Sequence, residues 1–216
     1  MRQRGVKGRA AWLAVFALPL VPLTVLVVAA GLGRLGANPP EKLILETGEW
    51  TLRLLLLTLA ASPVFALTGW NGLLRYRRMF GLYAFFYAVL HFLSYAYLDQ
   101  LLRWREILAD VLERPFIAAG MAGLLLMAPL ALTSTAGWVR RLGPQRWQRL
   151  HQLVYLAAAA GVLHFWWKVK ADTREPLVYV AILGVLLLLR LPGRARLRRW
   201  RQRLRRQRPA TLGADG

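Results

Sequence analysis

Six blocks of uncharged, mostly apolar sequence divide this chain, and a water-soluble domain has no interior large enough to hide them all. They cover 10–33, 54–74, 79–98, 115–139, 150–167 and 176–189. The first five are 24, 21, 20, 25 and 18 residues long, and roughly 20 helical residues cross a bilayer core. The sixth has 14, but Leu191 extends it and Arg190 can lift its charge to the interface. The expected fold is an all-α, polytopic bundle of six transmembrane helices.

The net charge of +20 would point to nucleic acid in a soluble protein, so the placement of the charge has to decide. Basic residues crowd the start (MRQRGVKGR), the second loop (RYRR), the fourth loop (VRRLGPQRWQR) and the tail from Arg190 to Arg208. Glu41, Glu46, Glu49, Asp99, Glu106, Asp110, Glu113, Asp172 and Glu175 occupy the first, third and fifth loops instead. By the positive-inside rule both termini face the cytoplasm, and the sixth block must cross to keep the tail inside. The tail is read as a topology anchor that touches anionic lipid, with no role in binding nucleic acid, because Trp200 is its one aromatic residue. The first block follows a basic segment as an export signal does. Its 24 uncharged residues exceed a signal core of about 7–15, so it is read as a retained helix.

Short loops make residues 1–193 one transmembrane domain, with 194–216 a cytoplasmic tail. Pro19, Pro22, Pro63 and Pro129 are expected to kink their helices. AAGMAG at 118–123 and AAAAG at 157–161 offer small faces for close approach of a helix or a flat ligand.

The chain has no cysteine, which excludes disulfides, thiolate-held iron–sulfur clusters and covalent c-type haem. Its three histidines, His91, His151 and His164, all lie in or beside apolar blocks. At about 1.5 Å per residue, His91 lies roughly 18 Å and His164 roughly 21 Å from the cytoplasmic ends of their helices. These two share a depth in the outer half of the membrane, whereas His151 sits at the inner edge of the fifth helix. A proton relay would recruit carboxylates within the spans, and there are none; zinc would want further ligands. Cross-bundle hydrogen bonding remains open for each histidine. A b-type haem between His91 and His164 needs two imidazoles at one depth on different helices, which this sequence provides. On an ideal helix His151 and His164 point about 140° apart, so they do not form one stripe.

The segments LTSTAGWVRRLGPQRWQRLHQLVYLAAAAGVLHF (132–165), RRMFGLYAFFYAVLHFLSYAYL (77–98) and LLLTLAASP (55–63) resemble the MsrQ, or YedZ, family of the ferric-reductase-like transmembrane superfamily. The resemblance covers about residues 40–192. It implies a six-helix inner-membrane cytochrome carrying one or two b-type haems, with His91, His151 and His164 as axial iron ligands. It further implies electron transfer from the quinone pool, or from a separate flavin reductase, to a periplasmic MsrP-type molybdoenzyme that reduces methionine sulfoxide in oxidised proteins. Associated FMN is implied by the resemblance alone, and catalysis then resides in the partner. Wider relatives carry a second histidine where this chain has Arg77, which leaves His151 without an imidazole partner; Met79 lies at a depth that could serve. Arg77, Arg78 and Arg149 are read as topology charges or partners of haem propionates. A metal-ion reductase subunit and a cofactor-free transporter or assembly factor are the competing readings.

Overall fold

The computed structural model describes residues 12–169 and 172–190. The basic start and the Arg-rich tail lie outside these. The described residues are helical and contain no strand. A helical stretch begins at Trp12, tightens into a 3-10 turn at Leu18–Leu20 and continues as α1, Val21–Gly31. α2 is Pro39–Thr68, and α3 is Gly72–Ser94, prolonged by a π-helical turn at Tyr95–Asp99. α4 (Trp104–Glu113), α5 (Pro115–Leu132), α6 (Ala136–Leu150), α7 (Leu153–Lys168) and α8 (Arg174–Leu188) follow. Among the described residues, four helices are long and apolar enough to cross a membrane, namely Trp12–Gly31, Pro39–Thr68, Gly72–Asp99 and Pro115–Leu132; Leu153–Lys168 is shorter and apolar.

The element boundaries follow from local chemistry. Asn38 caps α2 by accepting the Glu41 N–H at 3.3 Å while its amide donates to the Glu41 carboxylate at 2.9 Å, and Pro39 supplies the preset first turn. Gly69 ends α2 in the left-handed region at φ 71°. The block expected to run over 115–139 stops at Leu132. There the hydroxyls of Thr133 and Ser134 donate back to the carbonyls of Pro129 and Leu130, at 2.6 and 2.7 Å, and Thr135 caps α6. Of the four prolines, Pro19 lies in the 3-10 turn and Pro22 in the first turn of α1, while Pro63 and Pro129 are carried inside continuous helices.

Two segments read as loops are helical. α4 occupies most of the third loop with Trp104, Leu108 and Leu112 exposed along one side and Ile107 and Asp110 buried on the other. α6 holds the fourth loop, broken at Gly143 by φ 73° and ψ 157°. A further correction concerns His151. It lies in the turn between α6 and α7 rather than on the helix that carries His164, because the N–H groups of His151 and Gln152 bond back to Trp147 and Arg149 and close α6. The 140° expectation for one ideal helix therefore does not apply to this pair.

The core joins α2 to α3 and α5 to α7, with Leu59, Ala61, Ala84, Tyr87 and Ala158 fully enclosed. The two small-residue faces meet each other: a Cβ built on Gly123 would lie 3.6 Å from the Ala157 carbonyl and 3.7 Å from the Ala160 methyl. Outward-facing apolar residues such as Val25, Leu67, Leu125 and Leu188 remain more than half exposed, as expected of surfaces covered by lipid tails.

Candidate functional site

Between α2, α3, α5 and α7 lies a cavity of about 400 Å³, and His91 and His164 reach it from α3 and α7. Their ring centroids stand 5.9 Å apart with the planes crossed at 77°. Each ring is fixed through Nδ1. His91 donates to the Ile44 carbonyl on α2 at 2.8 Å, and His164 donates to the Phe116 carbonyl on α5 at 2.6 Å. A backbone carbonyl can only accept, so both rings carry their proton on Nδ1 and keep the Nε2 lone pair for a ligand. Metal-bound histidines are held by this same outer-shell arrangement. Two imidazoles bonded through Nε2 to one first-row metal, at about 2.0–2.1 Å each, would place their centroids roughly 6 Å apart, close to the spacing found. The cavity lining is largely apolar, with Leu45, Leu52, Leu55 and Ala88 among its residues, and Arg114 and Lys168 supply its cations.

A family model described as the ferric reductase like transmembrane component matches residues 47–162. A Rhodospirillum rubrum protein named protein-methionine-sulfoxide reductase heme-binding subunit MsrQ is 52% identical over 199 residues, which cover 92% of this chain and 94% of that protein. Proteins of the same name from Ralstonia nicotianae and Xanthomonas campestris pv. campestris are 50% identical over 185 residues and 45% identical over 217 residues. These cover 85% of each chain in the first case, and 98% of this chain and 99% of its relative in the second. The chain belongs to the MsrQ family of ferric-reductase-like membrane proteins. No solved structure matches it.

This MsrQ-family chain has a second cavity of about 510 Å³, lined by Arg75, Arg77, Arg78, Gln148 and His151 among others. His151 donates Nδ1–H to the Trp147 carbonyl at 3.1 Å, and the Trp147 indole stacks on its ring with centroids 3.8 Å apart. Its Nε2 is buried and makes no hydrogen bond among the described residues. An imidazole nitrogen stripped of water and left unpaired is costly, and a ligand taken at that nitrogen would remove the cost. Met79 does not line this cavity, while Arg77 and Arg78 do; Arg149 does not. The Arg77 guanidinium donates to Ser62 at 3.3 Å. Leu55 and Met127 line both cavities and so form the partition between them.

Two features of the site were not read from the sequence. One is the pair of carbonyls that orient His91 and His164, which the side-chain alphabet does not encode. The other is a cluster on Asp110, which accepts from Tyr95 at 2.6 Å, Gln100 at 3.1 Å and Arg114 at 2.9 Å, tying the π-helical turn and α4 to the start of α5 beside the cavity that holds His91 and His164. Arg53, by contrast, pairs with Glu49 one turn before it, as the four-residue spacing indicates, and also donates to Tyr179 at 3.3 Å.

Proposed function

We propose that this protein is a b-type cytochrome subunit that passes electrons from the quinone pool, or from a separate flavin reductase, across the bacterial inner membrane to a periplasmic MsrP-type molybdoenzyme. In this reading the six apolar blocks cross the membrane with both termini in the cytoplasm. The observation that carries it is the pair His91 and His164, two Nδ1-anchored imidazoles that line one largely apolar cavity with ring centroids 5.9 Å apart, close to the spacing two ligands of one metal would have. The names of the relatives, which describe heme-binding subunits of a methionine sulfoxide reductase, agree with this.

Bound haem supplies one-electron redox chemistry, and the chain positions it and tunes its potential. The carbonyls of Ile44 and Phe116 hold protons on Nδ1 of His91 and His164 and so leave both Nε2 lone pairs free for a metal ligand bond. Lys168, one turn beyond His164 on α7, has no ion-pair partner among the described residues and lines the same cavity, where it suits a propionate carboxylate. At the inner cavity His151 contributes the one imidazole, with Arg75, Arg77 and Arg78 available to anionic groups of a second haem or of FMN. Leu55 and Met127 then separate the inner from the outer redox group and exclude water between them.

A dithionite-reduced minus oxidised absorption spectrum of the purified protein, with haem quantified per chain, tests the reading. Sharp low-spin b-type bands are expected. A stoichiometry near two would assign His151 a haem of its own, and near one would restrict haem to the outer pair. Colourless protein from haem-replete cells would rule the cytochrome out in favour of a cofactor-free membrane protein.

A further inference from the structure

The same local device seats both outer histidines, and it is built from backbone and glycine. His91 donates to the carbonyl of Ile44, and four residues on, at Gly48, a Cβ would stand 3.0 Å from the ring's Nδ1 and Cε1. His164 donates to the carbonyl of Phe116, and four residues on, at Gly120, a Cβ would stand 2.8 Å from Nδ1 and 3.0 Å from Cε1. ILETG on α2 and FIAAG on α5 therefore present the same carbonyl-plus-glycine arrangement to the cavity.

The spacing has a physical reason. In an α-helix the carbonyl of residue i already accepts the N–H of residue i+4, but it has a second lone pair. Every Cα–Cβ bond tilts toward the helix N-terminus, so the side chain of residue i+4 leans back over the carbonyl of residue i and covers that lone pair. Only glycine at i+4 leaves room for a flat ring to lie on the helix and reach it. The two helices that carry the seats are not the helices that carry the histidines, so each imidazole is clamped between neighbours: α3 against α2, and α7 against α5.

We propose that Gly48 and Gly120 are positioning residues, a matched pair of seats that fixes the tautomer and plane of the His91 and His164 imidazoles before cofactor arrives and holds the two planes crossed. The inference rests on the outer-haem reading and adds to it the feature that sets ligand geometry. The seats select a ligand class as well. Two imidazoles protonated at Nδ1 and lining one cavity would suit a cofactor whose metal takes two nitrogen ligands, and the glycines let the rings lie close against the helices rather than in the cavity.

The test uses full-length protein in detergent or nanodiscs, with Gly48→Ala and Gly120→Ala compared to Gly184→Ala, where an added methyl would meet nothing within 4 Å. Haem transfer to excess apomyoglobin and the ferric electron paramagnetic resonance spectrum are the readouts. Outer-shell changes at metal sites typically cost 10–100-fold in affinity, so both seat variants are expected to lose haem on the order of 10–100 times faster, Gly120→Ala more so. The wild-type spectrum should show the single, strongly anisotropic low-field feature of crossed imidazole planes, giving way in the variants to a three-line rhombic or a high-spin signal. Gly184→Ala should match wild type. Alanine favours a helix over glycine by about 0.5–1 kcal/mol, so the seat variants are expected to insert and fold, which melting of the reduced protein checks.

A measurement on the wild type guards against variants that do not accumulate. In the reduced, diamagnetic protein the two Nδ1–H protons should be observable by nuclear magnetic resonance and protected from solvent exchange; fast exchange would overturn the seats. Wild-type haem loss and spectra in both seat variants would also overturn them while leaving the cytochrome reading intact. Wild-type protein without haem would instead overturn the cytochrome reading itself.

Discussion

The hydroxyl of Tyr87 stands between Pro19 and Leu23, donating to the first residue's carbonyl at 2.6 Å and accepting the second's N–H at 3.2 Å. Residues 19 and 23 are the i and i+4 partners of an uninterrupted helix. The tyrosine has inserted itself into a missing rung, which explains why the first helical segment changes to a 3-10 turn there and why it stays attached to α3. Tyr87 is fully buried, and an oxygen in the low-dielectric interior of a membrane protein needs such partners. Tyr87→Phe keeps the packing but strands one donor and one acceptor. It is expected to cost about 1–3 kcal/mol, read as a lowered melting temperature in detergent. An unchanged melting temperature would mean that water or backbone adjustment repairs the rung.

The three histidines should separate by function. His91 and His164 line one cavity. If they hold one haem, removing either would leave its iron with a single imidazole, so His91→Ala and His164→Ala are each expected to abolish the low-spin spectrum of that haem. His151 lines the other cavity. His151→Ala should leave the outer spectrum in place and remove only a second component, if haem analysis finds two per chain. Loss of the outer signal in His151→Ala, or its survival in either of the other two variants, would contradict the assignment of ligands to cavities.

The long helices were legible because lipid imposes a simple rule: uncharged runs of spanning length in α2, α3 and α5 have no other stable destination. The shared depth of His91 and His164 was legible too, since axial rise is a matter of counting. What could not be counted was rotation and the ends of elements. Thr133 and Ser134 look like mild residues inside an apolar block, yet their hydroxyls terminate α5. His151 appears continuous with the apolar run that follows it, yet its N–H closes α6. α4 reads as a loop when its charges alone are weighed for topology, although Trp104, Leu108 and Leu112 recur every fourth residue and give it an apolar side. The glycine seats were hidden for a different reason. Gly48 and Gly120 acquire meaning only from a ring on another helix, and separation along the sequence conceals that relation.

Asp110 is a buried carboxylate at the end of the bundle beside the His91–His164 cavity, with three partners, Tyr95, Gln100 and Arg114, drawn from the π-helical turn, the following loop and the start of α5. Arg114 also lines the outer cavity. Asp110→Ala leaves the Tyr95 hydroxyl and the Gln100 amide unpaired and frees α4 from the turn. The expected loss is about 1–3 kcal/mol, with greater proteolysis between 99 and 114 and quicker reduction of the outer haem by added dithionite. Asp110→Asn keeps an acceptor for both and should lie between alanine and wild type. If the two variants are equally unstable, the charge on Arg114 matters more than the hydrogen bonds.

Lys168 gives the outer site an electrostatic handle. It lies one helical turn past His164, lines the same cavity and has no acidic partner among the described residues. A positive charge near a haem favours the reduced form, which carries one positive charge fewer, and in the effective dielectric of a protein such interactions amount to roughly 1–2 kcal/mol at about 10 Å. Lys168→Gln should therefore move the outer haem's midpoint potential in the negative direction by tens of millivolts on this scale, and Lys168→Glu should move it further the same way. Haem dissociation should quicken in the same order if the ammonium also holds a propionate. A redox titration of the three proteins at low and high salt checks both effects. A shift that disappears at high salt would place the lysine in the solvent-exposed mouth, acting at a distance; a salt-resistant shift accompanied by faster haem loss would identify direct contact.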